Sequence, residues 1–121
     1  MNMNESSENY LETILRLSLT HPVVRSVDVA NDLNFKKSSV SVAMKKLREA
    51  GHITVTPEGF IYLTDSGKTI AHDILERHKL LTEWLVRLGV PADIASEDAC
   101  RIEHVISPAS FEAIKRHAKG E

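Results

Sequence analysis

Apolar residues recur every three or four positions along most of this chain, and the rhythm changes in one short central stretch. Tyr10, Leu11, Ile14, Leu15 and Leu17 repeat at helical spacing up to about Leu19, with Ser6 and Ser7 ahead of them as N-caps. Thr20, His21 and Pro22 break the pattern. Ser26 then reads as the cap of a short helix carrying Val27, Ala30 and Leu33, and Asn34 as its left-handed stop. A longer helix opens near Lys37, sets Val40, Ala43, Met44 and Leu47 on one side, and ends at Ala50 before Gly51. From His52 the texture is β-rich: His52 to Thr56 and Phe60 to Leu63, separated by Pro57, Glu58 and Gly59, predict a small hairpin. Thr64 suits the cap of a long helix whose stripe is Ile70, Ile74, Leu75, Leu81, Leu85 and Leu88, stopped by Gly89 and Pro91. Helices over Ala92 to Ile106 and Pro108 to Ala118 follow, with Pro108 in a first turn and a frayed tail after His117.

The expected fold is therefore mainly α with a small β-hairpin. A winged helix-turn-helix fills residues 1–71 and a helical domain fills 72–121, joined inside the long helix. With 121 residues, 42% of them hydrophobic, the chain can bury one modest core, or two small helical layers that gain burial by dimerising. A large enzyme fold is excluded on size. The net charge of −2 does not advertise a polyanion partner, but its distribution does. Lys36, Lys37, Lys45, Lys46 and Arg48 face Glu49 alone between positions 36 and 50. The single cysteine, Cys100, precludes an intrachain disulfide. With no signal-like segment, no apolar run long enough to span a membrane and no repeats, the expectation is a reduced, cytoplasmic protein.

Helix, turn, basic helix and wing is an arrangement in which the second helix fits the major groove of DNA and the hairpin reaches the flanking backbone. Lys36, Lys37, Ser38, Ser39 and Ser41 cluster where that helix begins, offering hydroxyls and exposed N–H groups to phosphates or base edges, and Lys45 and Lys46 continue the basic face. The bland alternative is a solvated helix surface in a bundle. Gly59 reads as a turn residue, Glu58 beside it would repel phosphate so that the wing adds little affinity, and His52 reads as a strand-end side chain.

Cys100, Glu103 and His104 stand at i, i+3 and i+4, so one helix face offers a thiolate, a carboxylate and an imidazole. Mixed S, O and N donors suit Fe(II), Mn(II), Co(II), Ni(II) or Zn(II) rather than calcium. Asn9 and Glu12 sit one turn apart on the first helix and His78 lies midway along the long one, so three helices could converge on one ion. Taken singly, Cys100 reads equally as packing, Glu12 as an exposed carboxylate and His78 as an interhelical histidine.

The segments ENYLETIL, SSVSVAMKKLREAGHI, GFIYLTDSGK, RHKLLTEWLVRLGV and, most specifically, DACRIEHVIS span nearly the whole chain. They resemble the iron- and manganese-dependent repressors, the family of the diphtheria toxin repressor and the manganese transport regulators. The resemblance implies a homodimer that binds palindromic double-stranded operator DNA when metal is present and represses metal-uptake genes. It makes the second half a helical dimerisation domain and the chain the compact two-domain type, without the SH3-like domain of longer members. It also implies metal ligands at Asn9, Glu12, His78, Cys100, Glu103 and His104. Manganese-sensing members share Glu12 and His78 but usually have Asp at Asn9 and Glu at Cys100. Iron-sensing members share Cys100 but normally have Met at Asn9 and a non-ligand at Glu12. The hybrid set, with its soft thiolate and neutral Asn9 oxygen, favours Fe(II), with Mn(II) next. Thr82 and Ser96 replace the Glu and His of the iron branch's ancillary site, and Glu83 is one residue out of register.

On this reading the metal ties the first helix, through Asn9 and Glu12, to the dimerisation domain and restricts the two recognition helices to successive major grooves. Leu81, Trp84, Leu85, Leu88, Ile102, Val105 and Phe111 are the expected domain and dimer cores. Three rivals make different predictions. A metal-independent winged-helix regulator sensing a small molecule or an oxidant through Cys100 would keep its DNA affinity after chelation. A small hydrolase would use Cys100 and His104 as nucleophile and base, though no oxyanion-hole loop is evident. A purely structural helical partner would show no salt-dependent DNA affinity.

Overall fold

A computed structural model describes residues 5–120. The chain forms α1 (Glu5–Ser18), α2 (Ser26–Leu33), α3 (Lys37–Glu49), β1 (Ile53–Val55), β2 (Ile61–Leu63), α4 (Asp65–Arg87), α5 (Ala92–Ile102) and α6 (Pro108–Ala118). It divides into two compact units, one ending at His72 and the other starting at Asp73, so the division falls within α4.

In the first unit α1, α2 and α3 pack on one another, with β1 against α3 and β2 against α1. Leu11, Ile14, Val29, Val40, Leu47 and Ile53 fill its core and are all but inaccessible to solvent. Each helix turns one apolar stripe inward, as the spacing predicts. The strands pair antiparallel, with Ile53 opposite Leu63 and Val55 opposite Ile61. Gly59, at φ +88°, closes the wing through a bond from its N–H to the Thr56 carbonyl. Val24, in the link between α1 and α2, accepts a further bond from the Ile61 N–H at 2.8 Å, which anchors β2 to the helices.

Several local expectations are corrected. Ser6 and Ser7 lie inside α1 rather than capping it, and Glu5 and Glu8 place negative charge in its first turn. Arg25, not Ser26, is the N-cap of α2: its backbone is extended, and its N–H donates to the Asp28 carboxylate at 2.9 Å. The inward face also differs from the expectation, with Val29 in the core and Val27 exposed. Asn34 does hold the left-handed conformation, at φ +58°. Leu19 is exposed beyond the end of α1, and Leu88 beyond the end of α4. The helix expected through Ile106 stops at Ile102, where the chain tightens into a turn with Val105 N–H on the Ile102 carbonyl.

The junction of wing and α4 is close-packed. Thr64 caps α4 by accepting from the Gly67 N–H at 3.3 Å, and its hydroxyl donates to the Gly51 carbonyl at 2.7 Å. A Cβ at Gly67 would lie 2.0 Å from the His52 carbonyl oxygen, so only glycine fits where the helix starts against that backbone. His52 is buried here, with Nδ1 2.9 Å from the Ser66 hydroxyl, and does more than end a strand.

In the second unit Leu81, Ala99 and Phe111 form the buried centre, with Leu80, Trp84, Ile102, Ile106 and Ile114 packed around it. Ser107 caps α6 by accepting from the Ser110 N–H, and Pro108 occupies the first turn. Val105 is 68% exposed, so within this unit it is not core.

Candidate metal centre and DNA-binding surface

The C-terminal unit carries a carboxylate where burial makes charge expensive. Glu103 follows the last residue of α5, its N–H still bonded to the Ala99 carbonyl at 2.9 Å, and no part of it reaches solvent. A carboxylate removed from water needs compensating charge or hydrogen bonds. Oε2 meets His78 Nδ1, from α4, at 2.9 Å. Oε1 has no hydrogen bond of acceptable geometry, although His104 Nε2 stands 3.3 Å away. The distance marks proximity, and the angle denies it the strength of a bond. Arg77, beside His78 on α4, bonds main-chain carbonyls.

Cys100, Glu103 and His104 each bring a donor atom within 4.8 Å of the others. The last turn of α5 and the turn that follows thus keep on one side what the spacing placed there. His78 joins this group through Glu103. A thiol, a carboxylate and two imidazoles around a buried, under-compensated oxygen are what a divalent transition metal accepts as ligands. The donor set fits such an ion. Asn9 and Glu12 sit one turn apart on α1, in the other unit; Glu12 is buried there and Asn9 half-buried.

Sequence reasoning missed what holds this cluster. The Arg77 guanidinium donates to the Glu103 carbonyl at 3.2 Å and the Ile106 carbonyl at 3.3 Å, and lies 5.4 Å over the Phe111 ring. It clamps the turn that carries Glu103 and His104. Its position beside His78 was the one available signal. Ser96 also approaches: its hydroxyl lies 3.4 Å from His78 Nε2. Thr82 instead donates to the His78 carbonyl, within its own helix.

The surface of α3 contrasts with that interior. Lys36, Lys37, Ser38, Ser39, Ser41, Lys45 and Lys46 are all exposed. The first turn of α3 has no acidic residue, so nothing opposes the partial positive charge of its N-terminus. Exposed N–H groups, hydroxyls and ammonium groups there make an anion-binding end. Ser41, Lys45 and Arg48 line a cleft of about 190 Å³ together with Ser26. Ser26 joins this face from a position not singled out for it, because helix α2 starts beside α3, while Arg48 already belongs to the basic stretch.

Comparison with known proteins agrees with both regions. Residues 2–59 match the iron-dependent repressor N-terminal DNA-binding domain, and residues 64–119 match the iron-dependent repressor metal-binding and dimerisation domain. An uncharacterized HTH-type transcriptional regulator of Methanocaldococcus jannaschii is 36% identical over 115 residues, covering 93% of this chain and 92% of the relative. The transcriptional regulator MntR of Salmonella typhimurium is 32% identical over 109 residues, 90% of this chain and 69% of the relative. Among solved structures, a manganese-dependent transcriptional repressor in complex with manganese superposes with a TM-score of 0.86 at 27% identity over 95% of this chain. The chain spans 53% of that protein. It belongs to the iron-dependent repressor family, DNA-binding transcription regulators with a metal-binding dimerisation domain, and is not an enzyme.

Proposed function

We propose that this chain is a metal-activated repressor of metal-uptake genes, answering to Fe(II) in preference to Mn(II), and working in the cytoplasm on palindromic operators. The observation that carries the metal reading is the fully buried Glu103 carboxylate, ringed by Cys100, His78 and His104. His78, Cys100, Glu103 and His104 hold the ion, with Asn9 and Glu12 of α1 completing the ligand set. A bound divalent ion supplies the positive charge that this carboxylate lacks. Cys100 brings a soft thiolate, which suits iron better than manganese; the resemblance to a manganese-bound repressor keeps Mn(II) as the second candidate.

Lys36, Lys37, Ser38, Ser39, Ser41, Lys45 and Lys46 place α3 on DNA, the lysines on phosphates and the N-terminal serines near base edges. Because ligands come from α1 as well as from the C-terminal unit, binding favours whichever arrangement of the chain satisfies both. Operator affinity rises only if that arrangement is the DNA-competent one. Each subunit of a symmetric dimer then meets one half-site of the palindrome.

The test is operator binding by metal-stripped protein titrated separately with anaerobic Fe(II) and with Mn(II). Affinity should rise with metal, further with Fe(II), and the gain should vanish in Glu103→Ala. Equal affinity with and without metal would sink the sensing mechanism, and a larger response to Mn(II) would reverse the metal assignment.

A further inference from the structure

Val42 breaks the chemistry of the face it sits on. α3 turns Val40, Met44 and Leu47 into the core. At about 100° per residue the outermost stripe of the helix is Ser38, Val42, Lys45 and Glu49. Val42 is 55% exposed in the middle of it, with Ser41 and Lys46 alongside. It gives nothing to the core of its unit. Nor does it favour the helix, since a β-branched residue on an exposed helical face is a poorer helix former than alanine.

We propose that Val42 reads a base: its methyl groups pack on the C5-methyl of a thymine in the major groove. This rests on α3 being the recognition helix. Charge selects the occupant of this face, because Lys45 and Lys46 lie one turn on from Val42, Lys36 and Lys37 stand at the start of the same helix, and the first turn of α3 carries no acid. Duplex DNA complements that field. Within the major groove the base edges offer donors and acceptors to Ser38, and one apolar group, the thymine methyl, to a valine. Val42 lies in the first half of α3, the end from which a recognition helix reaches base edges. It is thus a specificity residue for thymine over cytosine at one position of each half-site.

The experiment selects an operator from random-sequence duplexes with the full-length protein in Mn(II) or anaerobic Fe(II), then replaces each thymine in turn by deoxyuridine, which lacks only the methyl. For the wild type, one replacement per half-site should weaken binding about fourfold, the worth of one methyl removed from water. Val42→Ala, which alters both subunits of the dimer, should lose about the square of that factor on the thymine operator and show no further loss at that uracil. The substitution preserves the helix, alanine being the better former. If the uracil penalties in Val42→Ala match those of the wild type, the assignment of Val42 fails while the recognition-helix reading stands. If the wild type selects no sequence at all, both fall together.

Discussion

The two units keep their chemistry in opposite places. In the first, every lysine and serine proposed for DNA stands in solvent, carried on a helix whose other side is core. In the second, the decisive carboxylate is wholly buried and leans on imidazoles from another helix and from the adjoining turn. Exposed charges act on a polyanion nearly independently, each adding a similar increment that salt can screen. A buried cluster shares one ion or one desolvation cost, so its members stand or fall together. The first unit should therefore tolerate loss of any one of its surface contacts, and the second should not tolerate loss of a ligand or of the clamp behind it.

The contrast concerns function at a surface, and a change in the first unit's framework tests its limit. Gly67→Ala drives a methyl into the His52 carbonyl, which is backbone and has no rotamer to yield. The start of α4 must move against the wing, at a cost of about 1–3 kcal/mol as in other overpacked sites. The measurement is urea denaturation of the full chain beside Val42→Ala as the exposed control. Unchanged stability would mean that the junction is looser than its geometry. Such a loss would show that the first unit is tolerant only on its outer face.

The same contrast sharpens in the second unit with Arg77→Met, which keeps an apolar stem over Phe111 while removing the donors to Glu103 and Ile106. Both carbonyls lose a charged partner, and the turn bearing Glu103 and His104 loosens. Metal affinity should fall by about ten- to a hundredfold, the usual consequence of removing support behind a ligand. Calorimetric titration of the stripped variant with Mn(II) reads this directly. Wild-type affinity would show that the ligands hold their positions without the clamp.

How far these regions could be read from the chain follows from the range of the interactions that build them. Helical periodicity placed the inward faces of α1 and α3, because burial of a stripe is local in sequence. The grouping of Cys100 with Glu103 and His104 is likewise within one helical turn. Caps and phase were harder. Asp28 captures the Arg25 N–H and moves the start of α2 one residue from Ser26, and in so short a helix the period alone does not separate Val27, which is exposed, from Val29, which is core. Three-dimensional neighbours left no spacing to find: Arg77 reaches Glu103 across 26 positions, and Gly67 meets His52 because the wing folds back on itself. His78 is a candidate ligand from its place on the long helix, and the family resemblance raises it above an ordinary interhelical histidine; its 2.9 Å contact with Glu103 joins residues 25 positions apart that no motif connects.

The smallest effect tests the outer surface itself. Lys45 and Glu58 both lie in solvent, one on α3 and the other in the turn of the wing. If contacts on this face are independent, Lys45→Ala should weaken binding to operator and to unrelated duplex alike and reduce the salt dependence by about one counterion. Glu58→Ala removes a charge that opposes phosphate, so it should raise affinity slightly if the wing nears the backbone and leave it unchanged if it does not. Affinities over a salt series, measured with metal present, separate the two. A Lys45→Ala protein that kept its salt slope but lost discrimination between operator and unrelated duplex would put Lys45 on a base edge. The exposed face of α3 would then be a reading surface from Ser38 through Val42 to Lys45, with phosphate contacts left to the lysines on its flanks.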